Sequence, residues 1–308
     1  MATVEIEGQG VETSLTEATV ILNLELGKVS NRRKLKSDTE VIQTDIDRNS
    51  LHVGVDLFDA PELRACQNFQ AQLRAQVRLY CVPSFLRGGM YLVKLEAVNA
   101  VNELLKKAKE EFVPIVQAFA DVVDQRRDES RERLKQAFDP GAYPSREQVM
   151  SVYRIDYRWL SMSTPTSLKK ISVEFFNQEK ARAEDSLKAA TNGITAMLAA
   201  EAKGLGDHLI ERLTPDVEGK PRIIRNSAVG NITEFLSTFN LRNIGTSEEL
   251  NAQVERMKKL VEGVDPKDLR MNESLRTSLA KDFKEVSAAL DRLVVEKPKR
   301  YMASKEEF

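Results

Sequence analysis

The most regular hydrophobic pattern of this chain lies in residues 95–138. Its apolar positions recur at alternating spacings of four and three, namely Val101, Leu105, Ala108, Phe112, Ile115, Phe119 and Val122. This spacing puts them on one side of a helix and predicts a long amphipathic helix that ends before Asp139. Because proline removes one backbone hydrogen bond, we expect a kink between Glu110 and Pro114.

The last part of this predicted helix changes character. Residues 124–133 read DQRRDESRER and offer almost no apolar side chain to a core. A helix that leaves its own core in this way is expected to project as a charged rod that meets a partner. We therefore predict that Arg126, Arg127 and Arg131 contact a protein. The sequence leaves open whether this end projects or packs back on the body.

Shorter patterns in the N-terminal half are typical of strands. Val20, Leu22, Leu24 and Leu26 alternate with other residues, and residues 52–57 and 90–93 are two further strand candidates. Residues 153–159 are aromatic and alternating, so they form either another strand or the end of a helix. Ser145 and Gln148 have the spacing of a helix capping box, and a second box is predicted at 246–249.

The pattern over the whole chain predicts a mostly α fold with a small β element, an α+β protein with long antiparallel helices. We divide it into a flexible lead-in (1–17), an α+β domain with the long kinked helix (18–163), a helical domain (164–295) and a charged tail (296–308). The helical domain is expected to be all α, with several alanines that allow helices to approach closely.

Composition narrows the classes of function. The chain has 308 residues, of which 42% are hydrophobic and 30% charged, with a formal net charge of −1. This balance gives no overall field that would attract nucleic acid or an anionic membrane. No segment has about 18 consecutive apolar residues, and the start lacks the pattern of a signal peptide. We expect a cytoplasmic protein that does not contact membranes.

Residues that carry chemistry are few. The two histidines, His52 and His208, lie far apart without neighbouring ligands, and Cys66 and Cys81 lack the CxxC spacing of redox sites. The glycine clusters lack the lysine and hydroxyl of a phosphate-binding loop. We therefore expect no cofactor and no catalytic residue. Asp45 and Asp47 form a DxD sequence, which leaves a metal-dependent enzyme as an alternative.

A compact basic run gives the second alternative, a nucleic-acid-binding protein. The run consists of Arg32, Arg33, Lys34 and Lys36. Arg154, Arg158 and Trp159 add a basic and aromatic mixture that can contact phosphate and stack on a base. Trp159 is the sole tryptophan of the chain. It is either a core residue or an anchor in a protein interface, where tryptophan often dominates the binding energy.

Three segments together resemble a known family. They are Gly88-Gly89-Met90-Tyr91-Leu92-Val93, then Tyr143-Pro144-Ser145 followed by Val149 and Val152, and finally the run from Tyr153 to Trp159. This layout, over residues 18–295, resembles a domain-of-unknown-function family of phages and bacteria, often encoded beside MoxR-type AAA+ ATPases and von Willebrand factor A-like proteins. The resemblance implies a phage or bacterial cytoplasmic protein that is an adaptor or substrate of an ATPase.

The first hypothesis from the sequence is therefore a non-enzymatic adaptor or assembly protein. It presents long helices to a protein partner or to a second copy of itself, because long apolar stripes can bury against another chain in a coiled coil. The nucleic-acid-binding protein and the metal-dependent enzyme remain the alternatives.

Overall fold

A computed structural model describes residues 18–35, 53–84, 88–161, 164–216, 220 and 222–294 of the chain. Within these residues it has eight α-helices and a small antiparallel sheet, which confirms the predicted α+β class. The chain divides into two compact units, one of which consists of residues 19–162. The predicted lead-in (1–17) and charged tail (296–308) lie outside the described residues.

The first unit, residues 19–162, contains a four-stranded antiparallel sheet. Its strands are β1 (Thr19–Leu26), β4 (Val82–Pro83), β5 (Met90–Lys94) and β6 (Ile155–Leu160), arranged in the order β4-β5-β1-β6. Two short strands, β2 (Arg32–Lys34) and β3 (Gly54–Asp56), pair separately. β1 is one of the two inner strands, and its Ile21, Leu22 and Leu24 are buried, with Leu22 completely inaccessible to solvent.

The first unit also contains two long helices, α1 (Pro61–Tyr80) and α2 (Leu95–Leu134), and a short helix α3 (Arg146–Val152). Pro61 is the first residue of α1, where its missing N–H costs nothing. The core between these helices is rich in aromatic rings. Phe119 meets Phe58 and Tyr153 edge to face, and Phe69 stacks on Phe112. The Ser145–Gln148 capping box at the start of α3 is confirmed.

The predicted apolar stripe of α2 is right up to Phe112 and wrong by one residue in two places after it. Val116 and Val123 are buried, whereas the predicted Ile115 and Val122 are only half-buried. The observed stripe averages about 3.7 residues per step, close to the 3.6 residues of a straight α-helix, whereas a strict alternation of four and three gives about 3.5. The helix runs through Pro114 without interruption, and the kink stays a prediction.

The charged end of α2 does not project, and the expectation of a free charged rod was wrong. The Ser130 side chain is buried and donates to the carbonyl oxygen of Leu57 at 2.7 Å. The Arg133 guanidinium and the Tyr143 hydroxyl donate to the same oxygen at 2.9 and 3.2 Å. A hydrophobicity pattern does not predict this contact. The residue that is buried here, Ser130, is polar, and its burial is tolerated because its hydroxyl is hydrogen-bonded to the backbone of a loop.

The second unit is helical in its described residues. Its helices are α4 (Val173–Leu213), α5 (Asn226–Arg242), α6 (Glu248–Val261), α7 (Pro266–Met271) and α8 (Glu273–Asp291). Polar contacts join α4 to its neighbours: the Arg242 guanidinium pairs with Glu201 at 2.7 Å, and the Ser287 hydroxyl donates to Asp207. The cap of α6 is Ser247, one residue later than predicted. No helix among the described residues is long and apolar enough to span a membrane.

Candidate protein-binding surface

Strand β6 forms one edge of the four-stranded sheet, and within the described residues no strand pairs with its outer side. The opposite edge, β4, has only two residues and ends in Pro83, which has no N–H to offer to another strand. β6 has six residues, Ile155-Asp156-Tyr157-Arg158-Trp159-Leu160, with neither proline nor glycine. The sheet is therefore open to extension on the β6 side.

The side chains of β6 alternate between two faces of the sheet. Ile155, Tyr157 and Trp159 share the face of Leu22 and Leu24, because Trp159 lies opposite Leu22 and Tyr157 opposite Leu24 in the register. Ile155 is buried, whereas Tyr157 and Trp159 are half-buried. The Tyr157 hydroxyl donates to Asn102 of α2 at 3.1 Å. On this face Ile155 packs in the core of the unit, whereas Tyr157 and Trp159 are partly exposed at the open edge.

The start of β6 is held by a close approach of two backbone segments. The Gly27 N–H, directly after β1, donates to the Arg154 carbonyl at 2.9 Å, and the buried Gln70 side chain donates to the Gly27 carbonyl at 2.7 Å. A Cβ atom on Gly27 would lie 1.9 Å from the Val152 carbonyl oxygen. Only glycine fits here, and this close contact positions the end of α3, from which the chain continues into β6.

The second face of β6 carries charges. Asp156 lies directly opposite Glu25 of β1, an arrangement of like charges that is unfavourable on neighbouring strands. Arg154 and Lys109 compensate in part, since their nitrogens lie 2.9 and 3.6 Å from the Asp156 carboxylate. Arg158, on the same face, is exposed and forms no ion pair with any described residue. The edge therefore presents one acidic and one basic position, two residues apart.

Of the residues predicted to contact a partner, the three arginines of α2 are already engaged within their own unit. Arg126 forms a two-pronged ion pair with Glu62 of α1, at 2.7 and 3.1 Å, and this contact holds the pKa of the Glu62 carboxyl below its usual range. Arg127 pairs with Asp124 at 2.8 Å, and the guanidinium of Arg131 lies 5.3 Å from the ring centre of Phe138.

The basic run proposed for nucleic acid is divided by the fold. Arg33 is half-buried, pairs with Asp139 at 3.3 Å and reaches the Ala137 carbonyl. Arg32 and Lys34 point away from it and are exposed. Lys36 lies outside the described residues, as do Asp45, Asp47 and His52. Arg33 therefore fastens the β2–β3 ribbon to the segment after α2.

The described cysteines and the described histidine are placed as follows. Cys66 and Cys81 are buried free thiols, and burial raises their pKa values to about 11 and about 12. His208 is exposed and lies on the long α4. Together with Arg212 and Arg225 it lines a cleft of about 180 Å³. Among described residues no three His, Cys, Asp or Glu side chains group as metal ligands.

The structure also exposes apolar residues that the sequence did not single out. Ile171, just before α4, and Val173 and Phe175, in its first turn, are 77%, 62% and 43% exposed. The available signal was that Ile171 and Val173 are each followed by a polar residue, directly before the helical stripe begins. No family model, curated protein or solved structure matches this chain.

Proposed function

We propose that this protein is a non-enzymatic adaptor or assembly protein, and that it binds another protein chain through the open edge of β6. One observation carries the proposal: the six-residue edge strand β6 has no proline and includes the half-buried Trp159, whereas the opposite edge strand has two residues and ends in Pro83. An added strand pairs with the free backbone groups, and alternate side chains supply the specificity.

Trp159 supports this proposal because of its partial exposure. It lies opposite the completely buried Leu22, so one part of the indole belongs to the core. The remaining part is accessible at the sheet edge, and Leu160, on the other face of the same strand, is 39% exposed. A large aromatic side chain that is already held in place loses little conformational entropy on binding, which is why tryptophan is common at the centre of interfaces.

The nature of the partner system is a further proposal. The resemblance to a phage and bacterial family suggests an AAA+ ATPase system, and coiled-coil pairing of a long helix is a second route to a partner. The three arginines of α2 contribute less to the proposal than Trp159 does, because Arg126, Arg127 and Arg131 have partners in their own unit.

The alternatives have less support. Nucleic-acid binding through the basic run has only Arg32 and Lys34 as exposed described cations, since Arg33 is paired with Asp139. The metal-dependent enzyme depends on Asp45 and Asp47, which lie outside the described residues.

The proposal is tested by site-specific photo-crosslinking in cells that produce the full chain. Benzoylphenylalanine replaces the exposed Leu160 on the β6 edge or, as a control, the exposed Arg74 on α1. We expect a discrete covalent adduct from position 160 and none from position 74. Absence of an adduct at 160, or equal adducts at both positions, would refute a protein-binding role for this edge.

A further inference from the structure

The charged residues of β6, Asp156 and Arg158, restrict which strands can pair with it. A strand that adds antiparallel to β6 places its residues directly opposite those of β6, on the same face of the sheet. The partner must therefore offer a cation opposite Asp156 and an anion opposite Arg158. These two positions are two residues apart and the strands run in opposite directions, so the complementary strand carries, in its own chain direction, an acidic residue and then a basic residue two positions later.

The sequence of β6 itself meets this requirement. We infer that the partner strand is β6 of a second copy of this chain, paired antiparallel around a two-fold axis that lies midway between the two Tyr157 residues. This inference rests on the proposed function, because it names the chain that occupies the open edge. The two copies would form one continuous eight-stranded sheet, since each contributes four strands.

Symmetry restricts the register. A two-fold axis that relates two antiparallel edge strands runs perpendicular to the sheet and keeps the same face of both copies on the same side. Along the strand, such an axis must be level with a residue and not with a point between two residues. Only then do residues whose side chains lie on the same face stand opposite one another. The register is thus centred on a single residue of β6.

Electrostatics favour Tyr157 as the centre over its two neighbours, Asp156 and Arg158. A centre at Asp156 places two carboxylates opposite each other, and a centre at Arg158 does the same with two guanidinium groups. A centre at Tyr157 instead places Asp156 of each copy opposite Arg158 of the other. It also brings Ile155 of one copy opposite Trp159 of the other on the opposite face, an aliphatic–aromatic pair of a kind that stabilises sheets.

The same register relieves the unfavourable contact within each copy. Glu25 and Asp156 lie opposite each other on neighbouring strands. In the dimer the row continues from Glu25 through Asp156 to Arg158 of the second copy, so a cation stands beside this pair of carboxylates. Arg158, which forms no ion pair with any described residue of its own copy, acquires one.

The test uses two single charge reversals. In Arg158→Asp, both cross-strand pairs become acidic, and in Asp156→Arg both become basic, so each variant is expected to dimerise at least about ten-fold more weakly than the wild type. An equimolar mixture of the two variants has two opposite-charge pairs in the mixed dimer only. We expect sedimentation velocity to show dimers of the wild type and of the mixture, and monomers of each variant alone. Arg74→Asp, with the same charge change on α1, serves as the control and should dimerise like the wild type.

A measurement on the unmodified chain guards against variants that fail to fold. Backbone amides of β6 should exchange hydrogen more slowly at about 200 µM than at about 5 µM, the concentration range of a weak interface. A wild type that remains monomeric, with β6 exchange independent of concentration, overturns the inference, as do folded variants that dimerise normally. A photo-adduct of position 160 with a different protein refutes the second copy but leaves the proposed function standing. No adduct at all refutes the proposed function itself.

Discussion

Substitution of Gly27 by alanine is the sharpest test of how the β6 edge is positioned. The added Cβ would lie 1.9 Å from the Val152 carbonyl oxygen, whereas ordinary contacts begin at 3.4 Å. The two backbone segments must therefore separate by about 1.5 Å, and neither is the flexible end of a side chain. That displacement falls on the segment from which β6 starts.

The expected cost follows from the contacts that the displacement disturbs. The hydrogen bonds from Gly27 N–H to the Arg154 carbonyl and from the Gln70 side chain to the Gly27 carbonyl, at 2.9 and 2.7 Å, cannot both persist. Each is worth about 1 kcal/mol, and overpacking of this kind costs a further 1–3 kcal/mol, roughly. We expect Gly27→Ala to lower the free energy of unfolding by about 3 kcal/mol.

Urea denaturation followed by tryptophan fluorescence measures this change. Trp159 is the only tryptophan of the chain and lies in the same unit as Gly27, so its emission reports the unfolding of residues 19–162. Gly88→Ala is the matched control, since a Cβ there meets nothing within 4 Å, and its effect should stay within about 0.5 kcal/mol. If Gly27→Ala costs less than about 1 kcal/mol, the close approach at the start of β6 is wrong.

Three further predictions concern the same unit. Lys135 has a φ of 46°, in the region that favours glycine, so Lys135→Gly should raise the free energy of unfolding by about 1 kcal/mol in the same urea assay; a loss of stability would contradict the strain. Ser130→Ala removes a buried hydrogen bond and should cost about 1 kcal/mol, while Asp128→Ala, on the exposed side, should change little; equal effects would mean that the end of α2 is not packed. Burial raises the pKa of Cys66 to about 11 and of Cys81 to about 12, so the folded unit keeps protons that the unfolded chain releases above a pKa near 9. Stability should therefore fall as the pH rises from 9 to 11 and fall less in a double Cys→Ala variant, and a pH-independent urea midpoint over this range would contradict it.

Local patterns were sufficient for many elements of this protein. The strand β1, the stripe of α2 up to Phe112 and the Ser145 capping box each depend on residues close in sequence, and each was predicted from them. The α+β class followed from the same patterns. The sequence left two interpretations of Trp159 open, as a core residue or as an interface anchor. Its half-buried position became known only from the structure, in which it lies opposite Leu22.

The tertiary structure alone decided the rest, because it depends on contacts between residues distant in sequence. Residues 124–133 pack against their own unit because the Ser130 hydroxyl donates a hydrogen bond to the carbonyl oxygen of Leu57, 73 positions earlier in the chain. The place of β6 at an open edge depends on strand order, and strand order arises from pairing between segments more than 100 residues apart, such as β1 and β6. Hydrophobic periodicity specifies which face of an element is buried, but it carries no information about which neighbour covers that face or which edge is left without one.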